Sequence, residues 1–253
     1  LFLLNEPVPV KAAREAFHPM KVGDWKAAGF CTERDGELLE PRVQITPWEG
    51  KLIVSQKPML DAAHVEAEFV GPPGGATSTV FHSVIMRPAE VTLDLGTGPG
   101  SLALMASSFS RTVVATDINP RAIAFADVNR KLNGCSNVEI RCGDGFCPVR
   151  EETFDCVICN PPFVIAPDRK TTFRDGEGGG DTFTRNLIRE VPAVLRNNGF
   201  FHAMCNVPRQ EGQSLDAALD GWFGNTGCDV LVWRERSQSA EEYAMSWIVS
   251  TES

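Results

Sequence analysis

VTLDLGTGPGSLALMASSF, residues Val91–Phe109, changes character twice within one short stretch. VTLDL is a β-prone, apolar run; SLALMASSF has apolar residues at helical spacing; between them glycine recurs at Gly96, Gly98 and Gly100. Glycine at alternate positions lets the backbone turn tightly and come close to a ligand without a Cβ in the way. Strand, glycine loop and helix in that order open an α/β unit, and the pattern on either side extends it.

Downstream the chain keeps alternating. TVVATD (Thr112–Asp117) reads as a strand, and Pro120–Gly134 as a helix with Asn119 as N-cap, Pro120 in its first turn and Gly134 past its end. Asn137–Asp144 and Phe154–Asn160 read as strands, Thr182–Gly199 as a helix interrupted by Pro192, Phe200–Val207 as a strand and Ser214–Phe223 as a helix. Cys228–Arg236 and Glu242–Ser250 read as a closing antiparallel pair. The expectation is a mostly parallel sheet with helices on both faces, whose ligands sit at the carboxyl ends of the strands. Upstream, Val70–Val80 (VGPPGGATSTV) reads as a Gly/Pro connector. It divides a small module, residues 1–70, from the main domain, residues 71–253. Two short helices and then two or three short strands give the module a winged-helix-like pattern.

Composition narrows the classes. The chain has 253 residues, a formal charge of −9 and no apolar run near the roughly 20 residues a membrane span needs. A broad nucleic-acid-binding surface is disfavoured, and within residues 1–57 eight basic side chains balance eight acidic ones. The eight cysteines follow no disulfide framework, which fits a reducing, cytoplasmic setting. Cys156 and Cys159 are an odd number apart on one strand and point to opposite faces, so core packing is preferred to a metal site. The four histidines, His18, His64, His82 and His202, have no evident catalytic partners and read as structural.

The glycine loop alone does not name its ligand. A dinucleotide site wants a further glycine where this chain has Ser101, and Asp94 just before the loop would repel a pyrophosphate. Asp94 suits a ligand with a cationic amino group, such as S-adenosylmethionine. Asp117, 23 positions later, closes the second strand and can accept from ribose hydroxyls, and Asp144 closes the third, where it can accept from an adenine amino group. Phe146 is a candidate to pack on the adenine ring; Thr97, Ile118 and Gly145 are grouped with the same cofactor site.

After the fourth strand the chain reads Asn160-Pro161-Pro162-Phe163. Two prolines end the strand and stiffen the turn. The Asn160 side-chain carbonyl and the Pro161 backbone carbonyl are then two rigid acceptors, suited to the two hydrogens of a planar –NH2 group, and Phe163 offers a flat surface for stacking. Asn160 borders both the cofactor and the acceptor. Farther on, Arg169–Asp181 holds four glycines, Gly176, Gly178, Gly179 and Gly180, and reads as an acceptor-gating lid in which Arg169, Lys170 and Arg174 meet an anionic acceptor.

Glycine loop, second-strand acid, third-strand acid and N-P-P-F in this order, over roughly residues 78–250, resemble the class I S-adenosylmethionine-dependent methyltransferases of the amino-group, HemK-like type. The resemblance implies a Rossmann-like, seven-stranded sheet with a reversed last strand. It also implies methyl transfer to a planar amine: a base amine in ribosomal RNA, a glutamine amide in a protein, or a small amine. Phenylalanine at Phe163 favours the base and the acidic charge favours the protein. Two other classes compete: a winged-helix regulator that only senses the cofactor, which would not need Asn160–Phe163, and a nicotinamide-dependent oxidoreductase, which conflicts with Asp94 and Ser101.

Overall fold

Phe2, Phe17, Trp25 and Phe30 gather into one aromatic cluster, with Phe17 and Trp25 stacked at 4.7 Å. The computed structural model describes residues 1–57, 68–164, 181–224 and 226–245. The aromatic cluster anchors β1 (Val8–Pro9), α1 (Val10–Ala16), α2 (Val22–Ala27), β2 (Cys31–Arg34) and β3 (Leu38–Pro41). The three strands form an antiparallel sheet in the order β1-β3-β2, over a small core of Val10, Ala13, Val22, Cys31 and Leu39.

β4 (Val43–Trp48) and β5 (Lys51–Gln56) form a separate hairpin. Its two-residue turn has positive φ at both Glu49 (46°) and Gly50 (73°), the arrangement that matches the twist of paired strands. The hairpin packs onto the main sheet: Ile53, fully buried, sits in one core cluster with Val113, Ala115 and Ile158.

α3 (Gly75–Ser83) follows within the stretch read from sequence as a connector. The prolines end at Pro73, so nothing stops a helix from forming just after them, and Val80 is buried at its centre.

Then come β6 (Ala89–Leu95), α4 (Ser101–Ala106), β7 (Ser110–Asp117), α5 (Pro120–Leu132), β8 (Val138–Cys142), β9 (Phe154–Cys159), α6 (Thr182–Val194), β10 (Leu195–Ala203) and α7 (Leu215–Phe223). The five strands are parallel in the order β10-β9-β6-β7-β8. Asn119 caps α5 through its side chain, which accepts from Arg121 N at 2.9 Å, and Gly134 leaves the helix at φ +67°. Two core clusters cover the two sheet faces. Cys156 and Ile158 lie in one, Val157 and Cys159 in the other, so the two cysteines do point apart.

The expected sixth and seventh strands differ from what is observed. Among the described residues the central sheet has five strands, and Cys228–Arg236 joins no ladder. Leu231 and Trp233 are 93% and 89% exposed, so the alternating pattern there meets no partner. The intended partner begins instead as helix, at residues 240–245. Ser239 and Glu242 cap it reciprocally: Glu242 N donates to Ser239 Oγ at 3.1 Å and Ser239 N to Glu242 Oε2 at 2.9 Å. The rest of that expected strand lies outside the described residues. Among the described residues no helix is long and apolar enough to cross a membrane.

Candidate functional site

Strand order puts the site where chain direction across the sheet reverses. From central β6 the chain moves outward to β7 and β8, then returns to β9 on the other side of β6. A crevice opens at the carboxyl ends of strands flanking such a switch. Leu95 of β6 pairs with Cys159 of β9 on one side and with Thr116 of β7 on the other. One step beyond that register stand Gly96, Asn160 and Asp117, the starts of three loops on one edge.

The glycine loop is held from below. Thr97 N donates to Thr116 O at 2.9 Å, Gly98 N to Asp117 Oδ2 at 2.8 Å, and Gly100 N to Thr97 O at 2.9 Å. Gly96, Gly98 and Gly100 all have positive φ, at 70°, 55° and 89°. At Gly100 an added Cβ would also stand 3.2 Å from Ala126 Cβ, so glycine here lets α5 approach the loop.

Asp94 is 1% exposed. Its Oδ2 accepts from Thr97 Oγ1 at 2.5 Å, while Oδ1 is buried with no hydrogen bond of regular geometry. Burial pushes its carboxyl up to about 7, against the Thr97 hydroxyl and the Ala103 N–H, which favour the charged form. Asp117 accepts Gly98 N on one oxygen and Asn119 N (2.9 Å) on the other. Burial raises its carboxyl too, opposed by the N–H groups of Asn119, Gly98 and Ile118. Each oxygen keeps a further lone pair for a ligand. Ile118 is 53% exposed, an apolar side chain standing free beside Asp117.

Asp144 is exposed after β8, followed by Gly145, whose φ is +48°. Its loop is tied to β7, with Gly143 N donating to Asp117 O at 3.0 Å. Phe146 is buried in the core cluster that includes Leu93, Leu95, Val114 and Val149. Ile118 is the exposed apolar group at this edge.

Asn160 donates from Nδ2 to Thr77 Oγ1 of α3 at 3.3 Å, and its Oδ1 is buried with no hydrogen-bond partner. Pro161 is buried; Pro162 and Phe163 are half-buried. Thus Asp94, the glycine loop, Asp117, Ile118, Asp144, Gly145 and Asn160–Phe163 share one edge. Residues 169–180 of the expected lid lie outside the described residues. His202 is half-buried beside Phe200 on β10, and partial burial lowers its pKa. Sequence reasoning missed two residues here. Thr77 sits in the supposed connector. Asn129, fully buried on α5, donates to Pro99 O of the glycine loop at 2.7 Å and pairs with both N–H and C=O of Val54. A polar residue amid Ala122 and Ala126 on the inner face of α5 was the available signal for Asn129.

Buried side-chain oxygens without a regular hydrogen bond, among them Asp94 Oδ1, Ser101 Oγ, Thr116 Oγ1 and Asn160 Oδ1, cluster around a glycine loop at the switch point of a doubly wound sheet. Unpaired polar atoms at such a strand-end crevice mark it as the candidate ligand site. A model of the methyltransferase small domain matches residues 75–228, and the chain belongs to that family.

The chain is similar to the release factor glutamine methyltransferase of Cereibacter sphaeroides, 32% identical over 142 residues, 50% of each chain. It is also similar to the ribosomal protein uL3 glutamine methyltransferase of Bradyrhizobium diazoefficiens, 32% identical over 196 residues, 72% of this chain and 56% of that one. It therefore spans about half the length of these curated relatives. A 16S rRNA methyltransferase of T. thermophilus, solved with AdoMet and guanosine, shares the fold with a TM-score of 0.50. That match has 18% identity and covers 86% of this chain and 59% of the other.

Proposed function

We propose that the protein is an S-adenosylmethionine-dependent N-methyltransferase whose acceptor is a glutamine side-chain amide in a protein. The observation that carries this reading is the buried, unpartnered Oδ1 of Asn160, one register step from the glycine loop. An acceptor without a donor inside a polar edge is costly unless a ligand supplies the donor.

The residues fit the cofactor. Asp94 has a buried carboxylate oxygen without a regular hydrogen bond to pair with an ammonium, the loop Gly96–Thr97–Gly98 with Gly100 lets the backbone come close, and Asp117 keeps lone pairs for ribose hydroxyls. Ile118 and the Asp144–Gly145 loop border the space for the base. When bound, S-adenosylmethionine supplies an electrophilic methyl group on a sulfonium.

The chain's own contribution is alignment. Asn160 Oδ1 and the Pro161 carbonyl accept the two N–H groups of a planar amine and turn its lone pair to one side. The same dipoles stabilise positive charge growing on that nitrogen, in a site needing no nucleophilic side chain. The surplus proton leaves to solvent. The two relatives named above support the glutamine amide, and the charge of −9 makes an RNA backbone a poor match. Phe163 stacks equally well on an amide plane. Residues 1–70 are the acceptor-recognition module in this reading, and residues 71–253 the catalytic domain. All eight cysteines are free thiols, which supports a reducing, cytoplasmic setting.

The test is incubation with methyl-labelled cofactor and separate ribosomal RNA, ribosomal protein, release-factor and small-amine fractions. Label is expected in a protein fraction, at glutamine. Asn160→Ala should lower the transfer rate by about 10²–10³-fold while binding of S-adenosylhomocysteine persists. Asp117→Ala should lose that binding. Label confined to RNA would transfer the reading to a base amine, and turnover surviving Asn160→Ala would end it.

A further inference from the structure

Thr77 lies 83 positions before Asn160 in the chain, yet its hydroxyl is the hydrogen-bond partner of the Asn160 amide. The Asn160 amide turns about a soft, roughly two-fold torsion, so packing alone does not fix which of its faces meets a ligand. With Nδ2 directed at Thr77 Oγ1 (3.3 Å), Oδ1 is directed the other way, and there it is buried and unpartnered. A flipped amide would present N–H groups to an amine's N–H groups, which cannot pair.

Thr77 is itself well held. α3 packs against α4, the helix that leaves the glycine loop, and against β10 beside the Asn160 strand. The neighbouring Ser78 Oγ accepts from Trp48 Nε1 of the β4–β5 hairpin at 3.2 Å, so the N-terminal hairpin braces the same turn of α3.

We infer that Thr77 is a positioning residue: its hydroxyl accepts from Asn160 Nδ2 and holds the amide with Oδ1 open to the acceptor's N–H. This deepens the methyltransferase reading and rests on it for its effect on rate. The contact itself does not depend on that reading.

The experiment compares Thr77→Val, which keeps the shape and removes the hydroxyl, with Thr77→Ser, which restores it. The first readout is the Asn160 side-chain amide resonance in ¹⁵N-asparagine-labelled protein, assigned by its loss in Asn160→Ala. Thr77→Val is expected to speed exchange of these amide protons with water about tenfold, and Thr77→Ser to return them to the wild-type rate. The second is methyl transfer to the capped peptide acetyl-Ala-Gln-Ala-amide or to the labelled fraction from the preceding test. There kcat should fall about 10–10²-fold in Thr77→Val, with KM, thermal midpoint and S-adenosylhomocysteine affinity unchanged, and recover in Thr77→Ser.

An unchanged Asn160 amide signature in Thr77→Val would overturn the proposal. So would a loss of S-adenosylhomocysteine affinity equal to the loss of kcat, since Thr77 would then be acting on the cofactor pocket. If Asn160→Ala retained full turnover while the amide signature still responded to Thr77, the contact would stand and the methyltransferase reading of the turn would fall.

Discussion

Lowering the pH should weaken cofactor binding, chiefly through Asp94. Burial raises the carboxyl of this 1%-exposed residue to about 7, whereas an aspartate in an open chain titrates near ~3.9. Between those values the folded protein keeps a proton that the unfolded chain gives up. Stability therefore stands at its full value below about pH 4 and falls as pH rises to about 7, by roughly 4 kcal/mol in all at ~1.4 kcal/mol per unit. Ligand binding runs the other way. A cationic amino group pairs with the ionised carboxylate, whose share is about one-half at about pH 7 and one-eleventh at about pH 6. The dissociation constant for S-adenosylhomocysteine should rise about fivefold over that unit. Above about pH 8 it should rise again, as the ligand's own amino group loses its proton. Calorimetry in buffers of different protonation enthalpy should register proton release on binding at about pH 6. Asp94→Asn removes the most strongly shifted group: its affinity should be weak and vary far less with pH, and its thermal midpoint at about pH 8 should lie above wild type. A wild-type constant unchanged across that acid unit, or an equal slope in Asp94→Asn, would refute the assignment of the ammonium to Asp94.

Three further outcomes follow from packing. Asn129→Ala strips buried partners from Val54 N, Val54 O and Pro99 O, and should cost roughly 3 kcal/mol or more by urea denaturation. Asn133→Ala, at the exposed pair with Leu52 N and O, should cost under about 1 kcal/mol. Ile53→Ala should cost about 2–5 kcal/mol, because Ile53 is fully buried in the core it shares with the central sheet. Leu52→Ala, at a side chain 45% exposed, should stay within about 0.5 kcal/mol in the same measurement. Gly100→Ala combines a φ of +89° with a contact at 3.2 Å to Ala126, and should both destabilise by more than about 1 kcal/mol and abolish S-adenosylhomocysteine binding. Gly134→Ala meets open space at φ +67°, and should cost only about 1 kcal/mol with binding intact.

What could be read from sequence, and what could not, divides along the range of the interaction involved. The passage from β6 to α4 and the Asn119 cap of α5 are set by residues within a few positions of one another, and the sequence pattern identified them. Cys228–Arg236 has the same alternation as a true strand, but alternation states only which residues share a face, whereas a ladder needs a neighbour. The neighbour's sequence carries a stronger local signal, the Ser239–Glu242 capping box, which favours helix at residues 240–245. The site's least legible members are polar residues whose partners lie far away in the chain. Asn129 on α5 and Asn133, which caps its end four positions later, look from sequence like a solvated helix face. In the fold each uses its amide as a strand would, giving an acceptor to one N–H and a donor to one C=O of β5. Asn129 gives its second N–H to Pro99. The hairpin thereby shares a side chain with the glycine loop as well as bracing the Thr77 helix through Trp48. An N-terminal segment joined to both the glycine loop and the Thr77 helix has a physical route of coupling to them, and that route consists of side-chain amides and hydroxyls whose roles only tertiary contact defines.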